Sequence, residues 1–313
     1  MHLLVQTAVR RSACPLTLRA AGPQISLPVR TQCTAAASPA TQEFRKLHNI
    51  IVKGKDVPEP VTCFSQMQFE SGQLRQRLAK VGYNTPTPIQ AQAIAIADSG
   101  RDLVGLAETG SGKTLSYVLP ALNKPVRRKN SRLPSVLVLA PTRELAQQIE
   151  SEFLKLVPAN LVVSCYGGTG FEKQRSSLRK GVRIVIGTPG RLNDLLERGE
   201  LVPDEIHTLV VDEADRMLDM GFEPQIRRII DLLPEDKQTL MWSATWPEDV
   251  KDLANDFLAE NAVMCSVGEG TDEVRLNKNI VQEFVSVRNM FEKDEQLEKL
   301  LEENAGQKVL VFV

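Results

Sequence analysis

The segment Glu108-Thr109-Gly110-Ser111-Gly112-Lys113-Thr114 gathers two glycines, a lysine and three hydroxyls in a span suited to a polyphosphate. Glycines let successive backbone N–H groups turn inward around phosphate oxygens, and a helix starting at the end of such a loop adds the positive end of its dipole. In that arrangement Lys113 reaches the β and γ phosphates and the Thr114 hydroxyl ligates magnesium. Ala107 stands where such loops usually carry their first glycine, a departure that leaves the Gly-Lys-Thr core intact. A second cluster is Asp212-Glu213-Ala214-Asp215. Alone it reads equally as a solvated acidic turn. Beside a phosphate loop, Asp212 would hold the metal and Glu213 would orient the attacking water.

Both clusters follow apolar runs of strand length. Such runs recur at Asp102–Ala107, Val136–Ala140, Leu161–Tyr166, Arg183–Ile186, Thr208–Val211 and Thr239–Trp242. Helical patterns lie between them, as at Arg143–Val157, where Leu145, Ala146, Ile149, Leu154 and Leu156 form an approximate stripe, and at Pro224–Leu233. The alternation predicts an α/β fold, a parallel sheet covered by helices on both faces. Ligands of such sheets bind beyond the carboxyl ends of the strands, which directs attention to the residues after each run. These include Pro141-Thr142-Arg143, Gly167-Gly168, Thr188-Pro189-Gly190-Arg191 and Ser243-Ala244-Thr245. Hydroxyls, arginines and backbone N–H groups suit phosphates, and such contacts position a strand without reading its sequence. Singly, Thr188 and Arg191 read as a helix cap and a surface charge.

Taken in order, these motifs resemble those of the DEAD-box RNA helicases of superfamily 2, over a span from about Phe64 to Val313. The resemblance implies a RecA-like P-loop domain in which Thr109, Gly110, Ser111, Gly112, Lys113 and Thr114 bind ATP. Lys113, Asp212 and Glu213 would be catalytic, and Thr114 with Asp212 would hold Mg²⁺. Gly82 to Gln90 resembles the family's Q motif, although its Pro-Thr-Pro-Ile-Gln core also reads as a proline-stiffened turn. In that motif Gln90 would read the adenine edge, Tyr83 would stack on the ring and Phe64 would support it. A carboxamide suits adenine because it offers both a donor and an acceptor. Pro141, Thr142, Arg143, Gly167, Gly168, Thr188, Pro189, Gly190 and Arg191 would line an RNA groove. Ser243 and Thr245 would contact Asp215, coupling ATP state to RNA grip. The run Ser243-Ala244-Thr245-Trp246-Pro247 resembles one subgroup of the family, as does the lead-in from Ile50 to Phe64. Trp246 packing under a proline turn is the plainer reading of that tail.

The 313 residues, 42% hydrophobic and 25% charged, allow roughly two globular domains. Lys and Arg total 38 against 39 Asp and Glu, a net charge of −1 that excludes a uniformly basic mode of nucleic-acid binding. Five cysteines without a CxxC pair and three scattered histidines show no zinc-site spacing and fit a reduced compartment. No apolar run is long enough to span a bilayer. Residues 1–42 hold four arginines and no Asp, Glu or Lys. This Arg-rich, acid-poor leader resembles an organelle transit peptide, which points to a mitochondrion or plastid. A disordered extension or a spurious first exon is the alternative, and leaves nucleus or cytoplasm. Pro15 and Arg19 interrupt the apolar segment that a secretory signal needs.

The expected organisation is therefore a leader at 1–42, an extension at 43–81 leading to the Q motif, a RecA-like domain at 82–272 and the start of a second at 273–313. The last would be one βαβ unit, with strands at Ile280–Val287 and Lys308–Val313 flanking a helix at Glu292–Glu303. No HRxGRxxR sequence occurs, so the arginines that the family uses to stabilise the transferring phosphoryl are missing; an arginine finger contributes about 10³ to 10⁵ in rate. A truncated product is the expected explanation, since Val309–Val313 would be an unpaired apolar edge. The function implied is an ATP-dependent RNA helicase represented by its ATP-binding domain, weakly active or inactive alone. It would be a monomer, with RNA and helicase-activating proteins as partners and no membrane. A non-catalytic ATP- and RNA-binding module that regulates a complete helicase is the alternative. A DNA translocase on the same fold is disfavoured by the Q motif joined to Pro-Thr-Arg-Glu-Leu-Ala and Thr-Pro-Gly-Arg.

Overall fold

The computed structural model describes residues 37–125, 132–268, 285–309 and 311. The chain divides into two compact units, Met1–Glu269 and Gly270–Val313. The first opens with α1 (Pro39–Leu47), β1 (Ile50–Lys53), α2 (Gly72–Val81), α3 (Pro88–Asp98), β2 (Leu103–Leu106) and α4 (Lys113–Asn123). Next come β3 (Val136–Leu139), α5 (Arg143–Leu156), β4 (Val162–Cys165), α6 (Phe171–Lys180), β5 (Ile184–Gly187) and α7 (Pro189–Glu197). It closes with β6 (Thr208–Val211), α8 (Ala214–Asp219), α9 (Glu223–Asp231), β7 (Gln238–Ser243), α10 (Glu248–Phe257) and β8 (Val263–Val267).

The strands form one sheet in the order β1-β8-β2-β7-β6-β3-β5-β4. Only β1 runs antiparallel, against β8; the other pairings are parallel. The pleat sends alternate residues to opposite faces. Thus Val136 and Val138 enter a core shared with Ile94, Tyr117 and Phe153, while Leu137 and Leu139 enter a second core with Leu192, Met217 and Ile229. Helices cover both faces, as the apolar runs predict, and each of the six runs from Asp102 to Trp242 overlaps a strand. Two features hold the middle of the sheet in register. Gly105 on β2 lies opposite Trp242 on β7, and a Cβ there would fall 2.3 Å from the indole. The buried Asp102 carboxylate accepts from the N–H groups of Thr239 (2.8 Å) and Ala259 (2.9 Å), fixing the starts of β2 and β7.

The described residues add three facts about this organisation. The boundary at 42 falls inside α1, whose N-cap is Ser38, with its hydroxyl accepting from Thr41 N–H at 3.3 Å. Segment 43–81 is more than a lead-in, because it supplies β1, which pairs with β8 from Ile50↔Val267 to Lys53↔Met264. In the second unit the expected helix is present as α11 (Met290–Glu303), but the flanking strands are not found at 285–287, 308, 309 or 311. A strand exists only through its ladder, and the described residues of this unit supply no pairing partner. The rest of those two runs, and residues 1–36 of the leader, lie outside the described residues. Among the described residues no helix is long and apolar enough to cross a membrane.

Candidate functional site

The strand order decides which loops become neighbours. All seven parallel strands point the same way, so the loop after β2 (107–112) sits beside the turn after β7 (Ser243–Thr245) and the acids after β6 (Asp212–Asp215). On the other side of β6 come the loops after β3, β5 and β4, which carry Pro141–Arg143, Thr188–Arg191 and Gly167–Gly168. The phosphate-type motifs and the strand-gripping motifs thus form two adjoining groups on one edge.

The loop 108–112 has the shape its glycines allow. Gly110 (φ +83°) and Gly112 (φ +91°) both occupy the left-handed region, and Gly112 caps the N-terminus of α4. A Cβ on Gly112 would also lie 2.5 Å from Gln90 Nε2. The first residue of α4, Lys113, is buried, and its Nζ has no hydrogen-bond partner. A buried ammonium without a partner is costly, and aimed from a helix start behind a glycine loop it fits an anion.

The acidic cluster is built on a sharp turn out of β6. Asp212 is buried, and its Oδ2 accepts from the hydroxyl of Tyr117 at 2.7 Å. Its Oδ1 accepts from Glu213 N–H at 2.9 Å, and the Glu213 backbone that follows is left-handed at φ +52°. Burial pushes the Asp212 carboxyl above the usual carboxylate range, while the Tyr117 hydroxyl and the Lys113 charge oppose that shift. Burial also raises the Tyr117 phenol well above its ordinary value, so it acts as a donor. The residues present therefore fit a magnesium nucleotide. Lys113 and the loop N–H groups would meet the phosphates, and Thr114 and Asp212 would hold the cation. Glu213 Oε2 is 3.4 Å from Arg216 Nη1.

Of the expected coupling residues, one pair meets and one hydroxyl does not. Asp215 Oδ2 accepts from Thr245 Oγ1 (2.7 Å), Thr245 N (2.9 Å) and Ala244 N (3.2 Å). Ser243 Oγ is buried and has no hydrogen-bond partner; the backbone carbonyl of Ser243 instead accepts from Ala107 N–H, at 3.3 Å, joining β7 to the phosphate loop.

The Q-motif residues are tied to protein groups. Gln90, at N3 of α3, accepts from Thr87 N–H through Oε1 (2.9 Å) and donates from Nε2 to Gly112 O (3.0 Å). Each atom of the carboxamide keeps one further hydrogen-bonding capacity. Thr87 Oγ1 donates to Ser111 O at 3.0 Å, so two side chains of this segment hold the phosphate loop. Phe64 is buried in the core, while Tyr83 is half-buried. The Tyr83 hydroxyl donates to Glu152 Oε2 at 3.0 Å, which ties that ring to α5.

In the second group, Thr142 caps α5, its hydroxyl accepting from Leu145 N–H at 3.2 Å. Arg143 lies over the Tyr166 ring, 5.3 Å from its centroid. Gly168 is left-handed at φ +77°, beside Arg143. Thr188 sits at the N-cap of α7 without using its hydroxyl as a cap, and Pro189 opens the helix. Arg191 is not a free surface charge. Its side chain is only 15% exposed, and its Nη1 donates to Gln174 Oε1 at 2.7 Å. Sequence reasoning passed over Thr87, Tyr117, Tyr166 and Gln174. For Tyr117 a signal exists, since it follows Lys113 by four residues and so shares its helix face.

A family model for DEAD/DEAH box helicases matches residues 87–253, more than half of the chain. The ATP-dependent RNA helicase-like protein DB10 of Nicotiana sylvestris is 46% identical over 277 residues, 87% of this chain and 45% of that protein. The ATP-dependent RNA helicase DBP2 of Vanderwaltozyma polyspora is 47% identical over 278 residues, 86% of this chain and 62% of that protein. The chain spans about half the length of the curated relatives it matches. In fold it is similar to the crystal structure of the yeast DEAD-box splicing factor Prp28, with a TM-score of 0.70 and 30% identity over 86% of this chain and 64% of that one. The sheet order, the glycine loop, the acidic turn and these matches agree: the chain belongs to the DEAD/DEAH box helicase family.

Proposed function

We propose that this chain supplies the ATP-binding domain of an ATP-dependent RNA helicase. The observation that carries the reading is the buried, unpartnered Lys113 ammonium behind the glycine loop, on the same sheet edge as Asp212. Lys113 and the loop N–H groups hold the phosphates, and Gln90 has capacity left for the base. Magnesium, when bound, would draw charge from the phosphate oxygens, with Thr114 and Asp212 as its protein ligands. Glu213 orients water at the acidic turn. Arg143, Gly167, Gly168, Thr188 and Arg191 grip RNA through its backbone, without reading sequence. The Asp215–Thr245 hydrogen bonds join the acidic turn to β7, a route by which nucleotide and RNA sense one another.

The subgroup reading is part of this proposal. Ser243-Ala244-Thr245-Trp246-Pro247 supports it, as does the lead-in Ile50–Phe64, whose β1 is built into the sheet. RNA-stimulated ATP hydrolysis, compared with stimulation by a DNA oligonucleotide of the same sequence, tests the function. Hydrolysis that DNA stimulates as well as RNA refutes it. In a protein where a second RecA-like domain completes this one, nucleotide binding with no turnover at any RNA concentration would favour a binding module instead.

A further inference from the structure

Gln174 joins two loops that the sequence treats as separate motifs. It lies on α6, is 5% exposed, and uses both ends of its carboxamide. Its Nε2 donates to Tyr166 O at 3.1 Å and to Thr169 Oγ1, and Thr169 Oγ1 in turn donates to Tyr166 O at 3.1 Å. These bonds close the turn that contains Gly167 and Gly168. Its Oε1 accepts from Arg191 Nη1 at 2.7 Å, reaching the first turn of α7. The Arg191 guanidinium lies over the Phe171 ring, 5.6 Å from its centroid, and its Nε is 3.9 Å from Asp194 Oδ2. That carboxylate is already engaged by Arg198 Nε at 2.7 Å. With Gln174 on one nitrogen and the Phe171 ring against its face, the guanidinium is fixed in direction while retaining N–H groups for a further acceptor.

We propose that Gln174 is a positioning residue for RNA, setting the direction of Arg191 and the shape of the 166–169 turn together. The inference rests on the RNA-binding reading above. The chemistry explains why a carboxamide serves here. A glutamate would accept from Arg191 equally well, but it would pair with the guanidinium and cancel the charge that a phosphate needs. A glutamine holds the arginine and leaves its charge available. It also donates to the turn, which a carboxylate cannot do.

The test uses the full chain with a fluorescein-labelled oligouridine and a non-hydrolysable ATP analogue, followed by anisotropy across a salt series. Q174L is expected to weaken RNA binding about three- to tenfold, the size of one lost buried hydrogen bond, with nucleotide affinity unchanged. Q174E is expected to weaken it further and to lower the slope of log K against log salt by about 0.7, as one phosphate contact does on a single strand. R191A provides the reference slope. Q174L in the R191A background is expected to add less than it does alone, because much of its effect passes through Arg191. Equal RNA binding by wild type and Q174L overturns the inference, as does full additivity with R191A. A loss of nucleotide affinity matching the loss for RNA also overturns it, by showing a general folding effect. Absence of RNA binding by the wild type instead refutes the RNA-binding reading itself.

Discussion

Tyr117→Phe isolates one hydroxyl in the core of the site. The ring is fully buried and lies 6.0 Å from Trp242, and phenylalanine keeps that packing and leaves almost no cavity. What is lost is the 2.7 Å donation to Asp212 Oδ2. A hydrogen bond to a charged group contributes about 1.5 to 3 kcal/mol. Without that donor the Asp212 carboxyl rises further above the usual carboxylate range. Asp212 is already pushed up by burial, and the Tyr117 hydroxyl is the first influence holding it down. The sign follows from linkage. An acid whose folded pKa is raised favours the folded state below its unfolded pKa of about 3.9, and loses that contribution as pH climbs through the folded pKa. Phenylalanine raises the folded pKa again, so its cost is full near neutral pH and fades as the buffer is made acidic. Urea unfolding of wild type and variant, without nucleotide or metal, should show a gap of about 2 kcal/mol near neutrality that narrows in mildly acidic buffer. A gap below about 0.5 kcal/mol at neutral pH, within the range of ordinary surface changes, would refute the reasoning. So would a gap that is the same in acid.

Lys113→Ala should leave the fold intact and remove nucleotide-induced stabilisation, which for the wild type is about 2.7 kcal/mol at a ligand concentration a hundredfold above Kd. Thermal shifts with and without magnesium ATP check it. Gly105→Ala should destabilise by about 1 to 3 kcal/mol or more, because its methyl meets the Trp242 indole at 2.3 Å. A smaller side chain at 242 in the same molecule should recover part of the loss, read from urea midpoints. Thr245→Val keeps the branched shape but loses the 2.7 Å bond to Asp215. Nucleotide affinity should hold while its dependence on RNA weakens, as measured by nucleotide titrations with and without RNA.

The residues that act through local sequence were the legible ones. An apolar run followed by glycines and a lysine, or by paired acids, marks a strand end and a site together, so Lys113, Asp212 and Asp215 could be read directly. Residues that act across the fold were not. Tyr117 sits in a buried helix and gains its role only because β6 lies close to α4. Gln174 looks like one more polar residue on an amphipathic helix until Arg191 arrives from another loop. The helix α3 gave no periodic signal because it is buried nearly all round, including Ile89, Ala93, Ile94 and Ile96. β1 was read as lead-in because its partner β8 is more than 200 residues away. Ser243 shows the opposite failure, where the motif pointed to a hydroxyl contact and the backbone carbonyl makes the link instead.

The strand order also sets a timetable for synthesis. β2, which carries the phosphate loop, is flanked in the finished sheet by β7 and β8, and both leave the ribosome more than 130 residues later. At about 5 to 20 residues per second, the apolar β2 waits on the order of ten seconds for either neighbour. β3, β4, β5 and β6 pair among themselves and can assemble in that interval. The strand-gripping half of the edge is thus complete before the nucleotide half can close. During the wait the LVGL strand and the helix α3 beside it are surfaces that a nascent-chain chaperone would meet.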